Sequence, residues 1–105
     1  MFGDNFYLAE SKLILLYIFN TVVEPLSNLE ITQVILENDF MNYFSLQNYI
    51  NDMLESGLLQ YTSDGDKKKI AVTEYGIHVL SLFQKRIQDV KKNNIDEYLK
   101  KKFRA

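Results

Sequence analysis

The segment from Leu46 to Val72 constrains the fold more than any other part of the chain. Leu46, Tyr49, Ile50, Met53 and Leu54 recur at i, i+3, i+4, i+7 and i+8, which places them on one face of a helix. Gly57 follows where such a helix would close on a left-handed residue. The chain then runs directly into Leu58–Thr62 and Lys67–Val72, two short β-prone runs separated by Ser63-Asp64-Gly65-Asp66. An Asp-Gly pair between such runs predicts a hairpin. A helix with one apolar face needs other elements to complete its core, and the flanking sequence has to supply them.

It does so on both sides. Residues from Leu8 to Val23 carry Leu13, Leu16, Tyr17 and Asn20 at helical spacing, with Ile14 and Ile18 widening the apolar face. A helix this apolar on most sides belongs at the centre of a core. Pro25 stops it, because the residue before a proline is pushed out of the helical region. Ser27 or Asn28 caps a second helix over residues 28–38, with Ile31, Val34 and Ile35 inward and Asn38-Asp39 at its end. A link over Phe40–Phe44 leads to Ser45, which is read as the N-cap of the third helix, Leu46–Ser56. Beyond the hairpin, Thr73 caps a fourth helix. Ile77, Leu80, Phe83, Ile87 and Val90 repeat there at alternating steps of three and four, a coiled-coil-like seam. Lys91-Lys92-Asn93-Asn94 is the expected break, followed by a terminal helix with Ile95, Tyr98, Leu99 and Phe103. The chain therefore reads as a single mainly α domain with a small β-hairpin, an α+β fold in the order α-α-α-β-β-α-α over residues 1–105. Residues 8–72 hold a helix-turn-helix and its wing, and residues 73–105 hold the C-terminal helices.

Several function classes lose support at this stage. The 105 residues contain no Cys and one His, His78, so neither a disulfide framework nor a His/Cys metal site is expected. The four glycines are scattered singly, so no phosphate-cradling loop is expected, and there is no nucleophile elbow and no clustered acid pair in a loop that reads as catalytic. An enzyme is not expected, nor a cofactor. The longest apolar run, Leu13–Phe19, is far short of the about 20 residues that cross a bilayer. With no basic signal-like start either, a cytoplasmic protein without membrane attachment is expected. Charge is divided along the chain. Residues 1–60 hold one base, Lys12, against eight acids, a net of −7, whereas residues 61–105 hold eleven bases against six acids, a net of +5.

Two stretches resemble a known group of proteins. Asp52-Met53-Leu54-Glu55-Ser56-Gly57-Leu58-Leu59-Gln60 resembles the end of a winged-helix third helix running into its wing. Val72-Thr73-Glu74-Tyr75-Gly76-Ile77 resembles the entry to the helix after the wing in bacterial winged helix-turn-helix regulators of the multiple-antibiotic-resistance and phenolic-acid-repressor types. The resemblance covers residues 8–90. With the opening Leu8-Ala9-Glu10-Ser11-Lys12-Leu13-Ile14-Leu15-Leu16-Tyr17, the whole chain is similar to a bacterial winged-helix domain family with no assigned function. The resemblance implies a transcriptional regulator that binds double-stranded DNA as a homodimer. Helix 46–56 would lie in the major groove and read bases through Gln47, Asn48 and Asn51. Ser45 and the wing residues Lys67, Lys68 and Lys69, within 58–72, would contact the backbone. Ile77, Leu80, Phe83, Ile87 and Val90 would form the dimer contact.

One feature favours a different class. The third helix has no Lys or Arg and carries Asp52 and Glu55, although phosphate neutralisation supplies most non-specific affinity for DNA. The alternative expectation is a winged-helix module for protein interaction or assembly, with a protein partner in place of DNA.

Overall fold

A computed structural model describes residues 9–22 and 24–103, with Asp64 described by its backbone alone. The first helix, α1 (Glu10–Thr21), runs through the middle of the domain and buries Leu13, Ile14, Leu15, Leu16, Ile18 and Phe19. Burial on so many sides follows from its sequence, which leaves only Asn20 exposed between Ala9 and Val22. The helix ends at Thr21, with Val22 already extended, a few residues before Pro25. Its expected starting residue, Leu8, and its expected last residue, Val23, lie outside the described residues.

The second helix, α2 (Asn28–Glu37), opens on a capping box. The Ser27 hydroxyl accepts from the Glu30 backbone N–H at 3.1 Å, and the Glu30 carboxylate accepts from the Ser27 N–H at 2.9 Å. These bonds satisfy amides that a helix start otherwise leaves unpaired. The left-handed Asp39 (φ 56°) turns the chain out of α2.

The third helix, α3 (Tyr43–Glu55), begins three residues earlier than the sequence predicts. Its N-cap is Asn42, whose side-chain oxygen accepts from the Ser45 backbone N–H at 2.8 Å; Ser45 itself lies within the first turn. At the other end Gly57 takes φ 84°, and the Leu58 N–H reaches back to the Met53 carbonyl at 2.9 Å, the closure expected of a left-handed cap.

Strands β1 (Leu59–Asp64) and β2 (Lys67–Val72) form the expected antiparallel hairpin, with Tyr61 opposite Ile70 and Asp64 opposite Lys67. Gly65 supplies the positive φ of its two-residue turn. The hairpin has a further partner that the sequence did not announce. Leu26, just ahead of α2, exchanges two backbone hydrogen bonds with Ile70, at 2.9 and 2.7 Å. This bridge ties the start of α2 to the outer edge of β2.

The fourth helix, α4 (Glu74–Phe83), is capped by Thr73 as expected. It then stops, which corrects the single seam predicted through Val90. Residues Gln84–Arg86 form one 3-10 turn and Ile87 is extended (φ −78°, ψ 128°). The last helix, α5 (Asp89–Phe103), starts before the predicted break and includes Lys91–Asn94. At the start of α5 the Gln88 backbone N–H is taken by a Glu10 carboxylate oxygen at 3.2 Å. The other Glu10 oxygen accepts from Lys91 Nζ at 2.8 Å, so an α1 side chain anchors the start of α5.

The order among the described residues is therefore the expected α-α-α-β-β-α-α. α1 packs against α3, α4, α5, β2 and the 3-10 turn, while α2 packs on α3 and β1 follows α3.

Candidate functional site

The surface offered by α2 and α3 is set by which side of α3 is buried. Leu46, Ile50 and Met53 lie in the core, so the opposite face carries Phe44, Asn48, Asn51 and Glu55, all exposed and spaced at i, i+4, i+7 and i+11. Asn48 and Asn51, two of the predicted base readers, therefore point outward together. Gln47, the third, does not join them. It is half-buried on the flank facing α2, donates to the side-chain oxygens of Asn28 (3.0 Å) and Thr32 (3.3 Å), and accepts from the Asn28 amide at 2.9 Å. Gln47 thus fixes the angle between α2 and α3. Ser45 is half-buried, and its N–H is already given to Asn42.

Phe44 escaped the sequence analysis because an aromatic ahead of the presumed Ser45 cap read as part of a link. With the helix starting at Tyr43, Phe44 becomes an outward residue of the first turn and is 78% exposed. Its ring meets that of Tyr43 edge to face, with centroids 5.8 Å apart. Lys12 was also missed. It belongs to α1 in sequence, yet its ammonium lies 3.8 Å from the Asp52 carboxylate and 5.9 Å from the centre of the Tyr49 ring, on the flank of α3 away from Gln47.

The predicted backbone contacts Lys67, Lys68 and Lys69 line a groove of about 410 Å³ with Ser27, Leu29 and Glu30 from the start of α2. Lys67 and Lys68 are exposed and Lys69 is half-buried. The Lys68 ammonium sits 4.0 Å from the centre of the Tyr61 ring, which steadies it by a cation–π contact. The first turn of α2 therefore meets α3 on one side, through Asn28 and Gln47, and shares a groove with β2 on the other.

The predicted dimer residues separate. Leu80 and Ile87 are buried in this chain's own core, and Phe83 is half-buried beneath the Arg86 guanidinium, 4.8 Å from its ring centre. Of the five, Ile77 and Val90 remain on the surface; Tyr75 and Leu82 of α4 are exposed as well. Because the helix ends at Phe83, the five positions do not form one stripe.

Away from the surface of α2 and α3, polar contacts clamp α5. Tyr17 donates to Asp96 at 2.7 Å, Tyr98 donates to Glu37, and Lys102 lies 4.0 Å from the same Glu37. Desolvation, reinforced by the carboxylate acceptor, pushes both the Tyr17 and the Tyr98 hydroxyl up to about 12. The Lys91 hydrogen bond holds the Glu10 carboxyl below its ordinary value. Among the described residues no group of three His, Cys, Asp or Glu is placed to hold a metal ion, and no helix is long and apolar enough to cross a membrane.

What these elements define is a small α+β domain in which two helices held at a fixed angle and a lysine-bearing hairpin meet at the first turn of α2. Residues 11–105 match the model of a domain of unknown function, DUF4364, and the chain belongs to that family. No curated protein and no solved structure matches the chain.

Proposed function

We propose that the chain is a winged-helix DNA-binding regulator, with α3 in the major groove and the hairpin along the sugar–phosphate backbone. The observation that carries this reading is the outward face of α3. Asn48 and Asn51 stand on it, exposed and clear of the core, in a helix whose angle is fixed by the Gln47 hydrogen bonds. An asparagine amide pairs bidentately with adenine N6 and N7. Lys67, Lys68 and Lys69 supply positive charge for phosphates. A homodimer belongs to the same reading. So does the cytoplasm, as the compartment of a bacterial regulator of this kind.

A second reading, a protein-interaction module, is favoured by one observation. Residues 28–55 contain five acids and no Lys or Arg, and Leu29 and Leu36 are exposed on α2 beside them.

Selection of duplexes from a random library at low salt separates the two. Enrichment of a two-fold-symmetric site that weakens as salt rises supports the DNA-binding dimer. Absence of any duplex binding at low salt overturns it and leaves the protein-interaction reading.

A further inference from the structure

We infer that Phe44 reads the 5-methyl group of thymine, so that the outward face of α3 selects A·T base pairs. The inference rests on the DNA-binding reading and extends it to the class of sequence bound.

Residues in the N-terminal part of a recognition helix are the ones that reach base edges. Phe44 is the second residue of α3 and 78% exposed, while its edge-to-face contact with Tyr43 restricts where the ring points. No core contact explains an aromatic ring at this position: the core residues of α3 are Leu46, Ile50 and Met53 on the opposite face. The ring shares its face with Asn48 and Asn51, one and two turns further on. At 1.5 Å of rise per residue, Phe44 to Asn51 spans about 10 Å of helix axis, or roughly three base-pair steps of 3.4 Å.

The chemistry along that span is one-sided. In the major groove thymine presents a methyl group that apolar side chains contact, and adenine presents the donor–acceptor pair that asparagine matches. Guanine is read most often by Arg or Lys, and α3 has neither. Glu55, which suits cytosine N4, lies a further turn beyond Asn51. The first two turns of the face thus hold one methyl reader and two adenine readers.

The test compares duplexes enriched from the random library with the same duplexes resynthesised with deoxyuridine for thymidine, a change that removes only the 5-methyl groups. Wild type and Phe44→Ala are measured on both. The substitution removes an exposed side chain, so the fold is retained, and an unchanged unfolding midpoint verifies this. Wild type is expected to bind the deoxyuridine duplex about four-fold more weakly for each methyl contacted, the factor corresponding to burial of one CH₂ group. Phe44→Ala is expected to bind both duplexes equally. Equal wild-type binding to the two duplexes overturns the role of Phe44 and leaves the DNA-binding reading standing. An equal loss in wild type and variant assigns the effect to DNA shape and also overturns it. Failure to bind any duplex overturns both.

Discussion

At position 76 a hydrogen is the only side chain that fits. A Cβ on Gly76 would stand 2.3 Å from the Leu58 carbonyl oxygen and 2.8 Å from a Val72 methyl carbon. The approach is that close because Thr73 binds the end of α3 to the start of α4. Its hydroxyl donates to the Gly57 carbonyl at 2.6 Å and accepts from the Gly76 N–H at 2.9 Å, and its own N–H donates to the Leu58 carbonyl at 3.1 Å. Since the obstacle is backbone, it cannot move aside as a flexible side chain would. Gly76→Ala is therefore expected to cost about 1–3 kcal/mol, read as a lower urea midpoint with an unchanged slope. Two of the three amides on α3, Gln47 and Asn51, should also behave differently although they look alike in the sequence. Asn51→Ala is expected to relax selection at one base position, by about 1–3 kcal/mol of discrimination. Gln47→Ala releases the strut to Asn28 and Thr32, and is expected to weaken all duplexes alike and to lower the unfolding midpoint. Competition binding against single-base variants of the selected site separates the two patterns.

Among the elements, those defined by a repeated apolar stripe were legible and those defined by a single distant contact were not. The stripes of α2, α3 and α5 predicted their buried faces, because a side chain every three or four residues is a redundant signal. Leu26 is a one-residue strand, recognisable only from its pairing with Ile70. Asn42 and Ser45 are both good caps three residues apart, and the wrong choice hid Phe44. The break at Gln84–Gln88 has no Gly or Pro to mark it, and Ile87 is buried all the same, so the apolar spacing continues across it. Glu10, far away in the sequence, anchors the residues that follow the break, and this gives the start of α5 a definite pH response. A carboxyl held low in the folded chain contributes stability above its ordinary value of 4.5, which is lost as pH falls through the folded value. The tyrosines act at the other extreme. Their hydroxyls are raised from 10 to about 12, so their contribution is complete below pH 10 and is lost as pH rises toward 12. Melting temperatures measured from pH 9 to 12 are expected to fall less steeply for the double variant Tyr17→Phe, Tyr98→Phe than for the wild type. An identical fall in both would assign the alkaline loss to other groups.

For the molecule as a whole, the quantity that decides the proposed DNA binding is how little positive charge lies beside the outward face of α3. Several of the C-terminal cations are paired within the fold, Lys91 with Glu10, Lys92 with Asp89 and Lys102 with Glu37. Lys12, the one base of the acidic first half, lies against Asp52. Of the cations beside the surface of α2 and α3, Lys67, Lys68 and Lys69 remain to meet phosphates, with Glu30 the acid that shares their groove. The slope of log K against log salt is about −0.9 for each phosphate neutralised. If the chain binds DNA as proposed, three lysines set the slope near −3 per chain, shallow for a DNA-binding protein, and binding would depend more than usual on base contacts. Replacing all three lysines with alanine is expected to weaken every duplex alike and to bring the slope close to zero. Asn51→Ala is expected to leave the slope unchanged. If the triple variant keeps the wild-type slope, the phosphate contacts lie elsewhere, and Lys100 and Lys101, exposed on α5, become the next to replace.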